Sequence, residues 1–281
     1  MRVLITGGDG QLGRELAQLL GRTWEVTAAG HDRLDVGDRD AVAQAVGALA
    51  PDAVIHAGAW TAVDACEADP DRAWRTNALG TRHVAEAAAM AGAHVCYISS
   101  DYVFDGRAGR PYTEWDQTNP VSVYGASKLG GEVECREGST IVRTSWLCGA
   151  YGPNIVRTVL RLTRQHAPMR FVDDQHGCPT FTADLALAIR RLVLERRPGT
   201  YHVTNQGATT WYDFARAILA ECGLDPDQVE PISTDSQHPP RAAPRPAYSV
   251  LADTALRLSG LGVLPAWQDS LRALVRQLGE R

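Results

Sequence analysis

The sequence predicts an α/β fold built on a doubly wound parallel sheet, and three observations predict it. Short β-branched apolar runs alternate with amphipathic stretches through the first half of the chain. A glycine-rich turn, Gly7-Gly8-Asp9-Gly10-Gln11-Leu12-Gly13, joins the first such run to the first amphipathic stretch. The 281 residues, 44% hydrophobic and 22% charged, form a globular balance long enough to bury a core without cross-links. Strand–helix alternation requires parallel strands joined by right-handed crossovers, which makes the sheet Rossmann-type.

Each element follows from local pattern. Residues 2–6 read as a strand and 11–20 as the helix that the glycine turn opens. A second strand covers 25–29. Residues 38–49 are helical, with Ala41, Val42, Ala45, Val46 and Leu49 on one face. Residues 53–56 form a third strand, 70–90 a long helix, and 94–99 a fourth strand. A helix at 122–135 and a fifth strand at 140–144 complete the alternation. Beyond it the pattern is less regular: helices at 154–165, 184–195 and 211–222, and a short strand at 200–203. Residues 238–246 hold four prolines and cannot be a regular helix. They read either as a surface linker or as an ordered loop presenting Arg241 or Arg245 to an anionic ligand. The expected organisation is a dinucleotide-binding region, 1–150, and a smaller, mainly substrate-binding region, 151–281, interleaved at a soft boundary.

Composition narrows the function. A net charge of -5 argues against broad nucleic-acid binding. No run is long and apolar enough to span a membrane, and the N-terminus lacks signal-peptide features, so a cytoplasmic protein is expected. The six cysteines form no C-x-x-C pair and no zinc spacing, and are expected to be reduced thiols. Of the 28 Lys+Arg residues, Lys128 is the one lysine. In a chain that otherwise uses arginine, it invites a chemical explanation.

Gly7, Gly10 and Gly13 mark a G-x-x-G-x-x-G turn between first strand and first helix. Glycine there lets the backbone approach a pyrophosphate, and the helix N-terminus presents N–H groups to it. Gln11 and Leu12 belong to the same turn. After the second strand, Asp32 is placed to bind adenosine ribose hydroxyls, whereas Arg33 and His31 beside it suit a 2′-phosphate. Asp35 and Val36 lie further along, toward an adenine. Ala57, Gly58 and Ala59 end the third strand at the carboxyl edge, where small residues admit a cofactor. NADH and NADPH both remain open.

Tyr124 and Lys128 form Y-x-x-x-K, one helical turn apart and therefore on one face. A phenol ordinarily titrates near ~10, and an adjacent ammonium favours its ionised form. Ser99 and Ser100 end the fourth strand, and one of the two hydroxyls is expected to polarise a substrate carbonyl.

These motifs resemble those of the extended short-chain dehydrogenases/reductases and, within them, the dTDP-4-dehydrorhamnose reductases. The resemblance runs through Thr61-Ala62-Val63-Asp64 with Glu67, Asn77-Ala78, Ser99 to Gly106, Arg143 to Trp146, Asp174 to Thr180, and Arg245 to Leu251. It implies an NAD(P)H-dependent reduction of the C4 ketone of a dTDP-linked 4-keto-6-deoxyhexose, giving dTDP-L-rhamnose. By it, Ser100 holds the carbonyl oxygen, Tyr124 donates the proton, and Lys128 binds the nicotinamide ribose and lowers the tyrosine pKa. Val63, Glu67, Asp101, Tyr102 and Trp146 would line the sugar pocket. Some relatives bind magnesium at a dimer interface. Glu15 matches one such position, but residues 181–184 carry no glutamate where those relatives do, so no metal is expected. A homodimer is left open. The alternatives are a reductase or epimerase for another nucleotide-deoxysugar, and a non-catalytic regulatory subunit like that of methionine adenosyltransferase.

Overall fold

The structure, a computed structural model, describes residues 1–279. The first half runs β1 (Arg2–Thr6), α1 (Gln11–Leu20), β2 (Glu25–Ala29), α2 (Arg39–Leu49), β3 (Ala53–His56), α3 (Val63–Ala68), α4 (Pro70–Trp74), a π-helical turn (Arg75–Leu79), α5 (Gly80–Met90), β4 (His94–Ser100), α6 (Val123–Glu134) and β5 (Thr140–Thr144). The second half adds β6 (Leu147–Cys148), α7 (Ile155–Arg164), β7 (Met169–Val172), β8 (His176–Gly177), β9 (Thr180–Phe181), α8 (Thr182–Leu194), β10 (Gly199–His202), β11 (Thr209–Thr210), α9 (Trp211–Glu221), β12 (Val229–Ile232), α10 (Thr254–Leu258) and α11 (Trp267–Gly279).

Six parallel strands form the main sheet in the order β2–β1–β3–β4–β5–β10. The chain leaves β1 toward one edge and returns to build the other. The reversal lies between β1 and β3, and ligands bind in the crevice at the carboxyl ends of strands beside such a point. The apolar strands are covered on both faces, as parallel sheets require. On one face α1 and α8 bury Leu12, Leu16, Leu20, Leu185, Ile189 and Leu192. On the other, α2 and α5 bury Val42, Val46, Val84 and Ala88. A further core joins α7, α9 and α11 through Val156, Phe214, Ile218, Trp267 and Leu271.

The main-sheet strands and the principal helices lie within two residues of the expected spans, and the differences have causes. The single helix expected over 70–90 is interrupted by the π turn. Asn77 sits in that turn and leaves the helix repeat to hold Trp60, accepting its N–H at 2.8 Å and donating to its carbonyl at 3.2 Å. Asp38 and Ser122 lie just outside their helices as N-caps; each side chain accepts first-turn N–H groups. The strand expected at 200–203 is β10, at 199–202, and extends the sheet beyond β5. The second-half helix α8 packs on α1, so the sheet and its cover draw on both sides of residue 150. Among the described residues no helix is long and apolar enough to cross a membrane.

Candidate active site

A cleft of about 540 Å³ opens at the carboxyl edge of the sheet. Its floor is the glycine turn. Gly7 has φ +68°, and a Cβ there would lie 2.7 Å from the Gly58 Cα. A Cβ on Gly13 would lie 2.2 Å from the Gly7 carbonyl oxygen, so helix and strand meet closer than any side chain allows. Gly10 caps α1 with no side-chain hydrogen bond, which leaves the first-turn backbone to the cleft.

Alternation along β4 separates the two serines. Ser99 Oγ donates to Glu132 Oε1 at 2.5 Å. Ser100 Oγ donates to Asp101 Oδ1 at 2.9 Å, accepts the Tyr102 N–H at 3.1 Å, and lies within hydrogen-bonding reach of the Tyr124 phenol. Ser100 is therefore the hydroxyl beside the tyrosine.

The helix carrying Tyr124 and Lys128 is fixed at its start by two side chains. Ser122 Oγ accepts the Gly125 N–H at 3.2 Å, and Glu67 Oε1 accepts the Val123 N–H at 2.8 Å. Tyr124 and Lys128 are 9% and 2% exposed. Lys128 Nζ donates to the Ile98 carbonyl at 2.7 Å and lies 4.2 Å from the Tyr97 ring centroid. Burial governs both groups. It lowers the Lys128 ammonium to about 7, against the opposing charge of Glu132. It raises the Tyr124 phenol above its ordinary value, with the Ser100 hydrogen bond acting the other way. In the protein alone, desolvation is the largest influence on the Tyr124 phenol, and it raises it.

A directional hydrogen-bond chain runs behind this pair. Thr81 Oγ1 donates to the Asn77 carbonyl at 2.7 Å, so it can only accept from His56 Nε2 at 3.1 Å. His56, lowered to about 3 by burial and by Lys128, is neutral. Its Nδ1 therefore accepts the Thr6 hydroxyl at 2.6 Å, and Thr6 in turn accepts the Gly58 N–H. Asn77 Nδ2 also donates to Ser127 on α6 at 2.9 Å, so the chain ties the glycine turn to the helix of Tyr124.

The cleft gathers Gly7, Gly10, Gln11 and Leu12 from the turn, Ala57, Ala59 and Val63 from β3 and α3, Ser100, Asp101 and Tyr102 from the end of β4, Tyr124 and Lys128 from α6, and Trp146 beyond β5. Other expected residues lie outside its lining. Gly58 supports Gly7 from beneath. Asp32 and Arg33 are exposed, and Asp35 instead accepts the Gly37 N–H at 2.9 Å. Val36 is a core residue packed against Gly80. Glu67 is occupied by the Val123 N–H. The loop at 238–246 is ordered, but its arginines are paired: Arg245 meets Asp64 through two hydrogen bonds at 2.6 and 2.8 Å, and Arg241 at 3.4 Å. Both arginines of the loop thus contact Asp64, and the Arg241 side chain remains 55% exposed. Glu15 Oε2 accepts the Thr182 hydroxyl at 3.2 Å.

Sequence reasoning missed several lining residues. Gly30 is one of them, and it lines the cleft next to His31, which sequence reasoning had placed there. Thr144 ends β5 with a buried hydroxyl that has no hydrogen-bond partner among the described residues; its place at the carboxyl edge was the available signal. Trp211 stacks on Trp146 with centroids 3.6 Å apart and planes at 11°. Trp146 holds φ +46°, an uncommon region for a bulky residue and one enriched at functional sites.

Comparison with known proteins matches this chain to the family described as the RmlD substrate binding domain, over residues 1–280. The chain belongs to this family. One member, the dTDP-4-dehydrorhamnose reductase of Streptomyces griseus, is 44% identical over 96% of this chain and 91% of its own. The spore coat polysaccharide biosynthesis protein SpsK of Bacillus subtilis is 39% identical over 98% and 97%. The crystal structure of dTDP-4-dehydrorhamnose reductase from Bacillus anthracis in complex with NADP superposes with TM-score 0.94 at 38% identity, covering 98% of this chain and 99% of that one. The family likeness thus spans the whole cleft, glycine turn to Trp211.

Proposed function

We propose that this chain is an NAD(P)H-dependent reductase that converts the C4 ketone of dTDP-4-dehydro-L-rhamnose to the alcohol of dTDP-L-rhamnose. The observation that carries this reading is the convergence of the glycine cradle and the Ser100–Tyr124–Lys128 group on one cleft. The residues present fit a nicotinamide dinucleotide. Gly7, Gly10 and Gly13 leave a cradle that a Cβ would fill, and the orphaned Thr144 hydroxyl offers a polar contact deeper in. The S. griseus relative is named for this reaction, and the B. anthracis relative was solved with NADP. In the protein proposed here, residues 1–150 chiefly hold the cofactor and 151–281 mainly the nucleotide-sugar. NADPH and NADH are both candidates.

When bound, the reduced nicotinamide supplies the hydride. Tyr124, kept protonated by burial, donates its proton to the oxygen as negative charge develops there. Ser100 holds that oxygen by a hydrogen bond that strengthens with the charge. Lys128 binds a ribose hydroxyl and places a cation near the phenol as the proton leaves. Trp146 and Trp211 form an apolar wall that excludes water from one side of the sugar. Val63, Asp101 and Tyr102 complete the pocket wall.

The test is loss of reduced-nicotinamide absorbance with dTDP-4-dehydro-L-rhamnose and either NADH or NADPH, wild type beside Tyr124→Phe. Turnover by wild type, with at least a hundredfold loss in the variant and unchanged dinucleotide affinity, is expected on the ~10²–10⁴-fold worth of a positioned proton donor. Wild-type protein that binds dinucleotide but does not turn over this ketone would reject the rhamnose assignment.

A further inference from the structure

Ser100 has one hydroxyl proton and two claimants for it. A hydroxyl donates once and accepts twice. In the structure the proton goes to Asp101 Oδ1 at 2.9 Å while the oxygen accepts the Tyr102 N–H. Spent in that direction, Ser100 offers a ketone oxygen only a lone pair, which repels it. The second Asp101 oxygen accepts the Ser249 hydroxyl at 2.6 Å. Asp101 is 2% exposed, and each of its oxygens is already taken by a serine. The carboxyl is therefore poorly placed to hold a sugar hydroxyl and well placed to orient Ser100.

We propose that Asp101 is a positioning residue acting through Ser100: protonated, it donates to Ser100 Oγ and turns the Ser100 O–H into the cleft; ionised, it draws that proton away from the substrate. The proposal rests on the ketoreductase reading above. In the protonated arrangement Ser100 accepts from Asp101 and from the Tyr102 N–H and donates to the ketone, which fills its capacity and leaves the neighbouring Tyr124 phenol to donate to the ketone as well. In the ionised arrangement a carboxylate also lies close to the oxygen on which negative charge develops, which opposes reduction.

The surroundings leave Asp101 free to titrate near neutrality. Burial raises it to about 6, with the Ser249 and Ser100 hydroxyls and the backbone N–H groups of its own turn opposing that rise. It faces the Tyr102 phenol from that turn, the Tyr124 phenol from α6, and the Cys178 thiol from the segment before β9. Burial pushes both phenols above their ordinary values and the thiol up to about 11, so all three are neutral where Asp101 titrates. Arg245 lies beyond Tyr102 and is paired with Asp64. The segment bearing Ser249 also packs on β8, where the His176 ring turns to Tyr248. Lys128, in the same cleft, titrates at about 7.

Asp101→Asn gives the critical comparison. Its amide N–H can donate to Ser100 and its carbonyl can accept from Ser249, which fixes the protonated arrangement at every pH. Two measurements are made on the full chain. Infrared spectra across pH 4.5–8 without substrate, taken as wild type minus Asp101→Asn so that the ordinary carboxyls cancel, should show a protonated-carboxyl C=O band that fades as pH rises through about 6. The ratio of wild-type to Asp101→Asn kcat/KM, with reduced nicotinamide saturating, should fall about tenfold per pH unit above that break. Taking the ratio cancels the Lys128 titration, which both proteins share. Ser249→Ala removes one donor to the carboxylate and should move the break to higher pH; it carries the test should the Asn variant not fold.

A ratio flat with pH, a missing infrared band, or a Ser249→Ala break that stays or moves down would each overturn the proposal. A merely structural Asp101 would change activity without these pH signatures. Absence of wild-type turnover would count against the ketoreductase reading instead, and the infrared titration would still decide whether Asp101 takes up a proton.

Discussion

Arg143→Met tests how β5 and α6 are held together beside the cleft. Arg143 on β5 and Glu132 on α6 pair at 2.7 Å, with side chains 7% and 6% exposed. The guanidinium donates twice, Nε to Oε1 at 2.9 Å and Nη2 to Oε2 at 2.7 Å, and Ser99 adds its 2.5 Å bond to Oε1. Methionine keeps the apolar stem and deletes the charge. Glu132 is then a buried carboxylate left with the Ser99 hydroxyl and the charge of Lys128, which makes no hydrogen bond to it. Removing one partner of such a pair costs about 3–5 kcal/mol, because the remaining charge has lost its water and its counter-ion. Exposed pairs are worth only about 0–1 kcal/mol. Urea unfolding followed by far-UV circular dichroism, at matched m-values, reads the difference. Adding Glu132→Gln to Arg143→Met should restore a large part of the loss, and the double-mutant cycle gives the coupling. A single-variant loss under about 1 kcal/mol, or a double variant no better than the single one, would refute the reasoning.

Three further outcomes follow from other contacts. Gly13→Ala places a Cβ against the Gly7 carbonyl; overpacking of about 1–3 kcal/mol, if the strain falls on the bound state, weakens NADPH binding by roughly 5- to 150-fold in a fluorescence titration. Asp64→Asn should speed amide hydrogen exchange in residues 238–246. In wild type, Asp64 is lowered from 3.8 to about 2, chiefly by Arg245, so its contribution is present above the ordinary value and is lost as pH falls through about 2; the same loosening should appear there. Lys128 is lowered from 10.5 to about 7, so the unfolded chain binds the extra proton between those values. The destabilisation is full below about 7 and shrinks as pH rises, so wild type should gain stability relative to Lys128→Met from pH 7 to 10; a difference constant with pH would refute it.

The main sheet was legible because each buried parallel strand is a short apolar run and each covering helix an amphipathic one, signals that survive without tertiary knowledge. β7, β12 and α11 were not, because runs of four residues carry too little periodicity and the stripe of α11 has no motif beside it. The π turn was invisible: the contact it carries, Asn77 to Trp60, joins residues seventeen apart. In the cleft, Tyr124 and Lys128 were legible because their spacing encodes one helix face, and the glycines because their spacing encodes a close approach. Asp32 and Arg33 were misplaced relative to the lining because the chain turns one residue earlier, at Gly30 and His31. Trp211 carried no local signal; it joins the cleft only by stacking on Trp146. Glu67 was legible as part of the motif, but its contact with the Val123 N–H was not, since spacing does not show which backbone group a side chain meets.

The place of β10 in the sheet has a consequence for how the chain is made. Synthesis proceeds from the N-terminus, so β1 to β5 leave the ribosome before residues 199–202 exist. Until those residues emerge, β5 presents an unpaired row of N–H and C=O groups, and α1 lacks the cover of α8. An open edge of this kind recruits other strands, including those of neighbouring nascent copies. Chaperone demand should therefore peak while the ribosome is translating the segment between β5 and β10, and slowing translation there should lower the yield of native protein more than slowing it after residue 202.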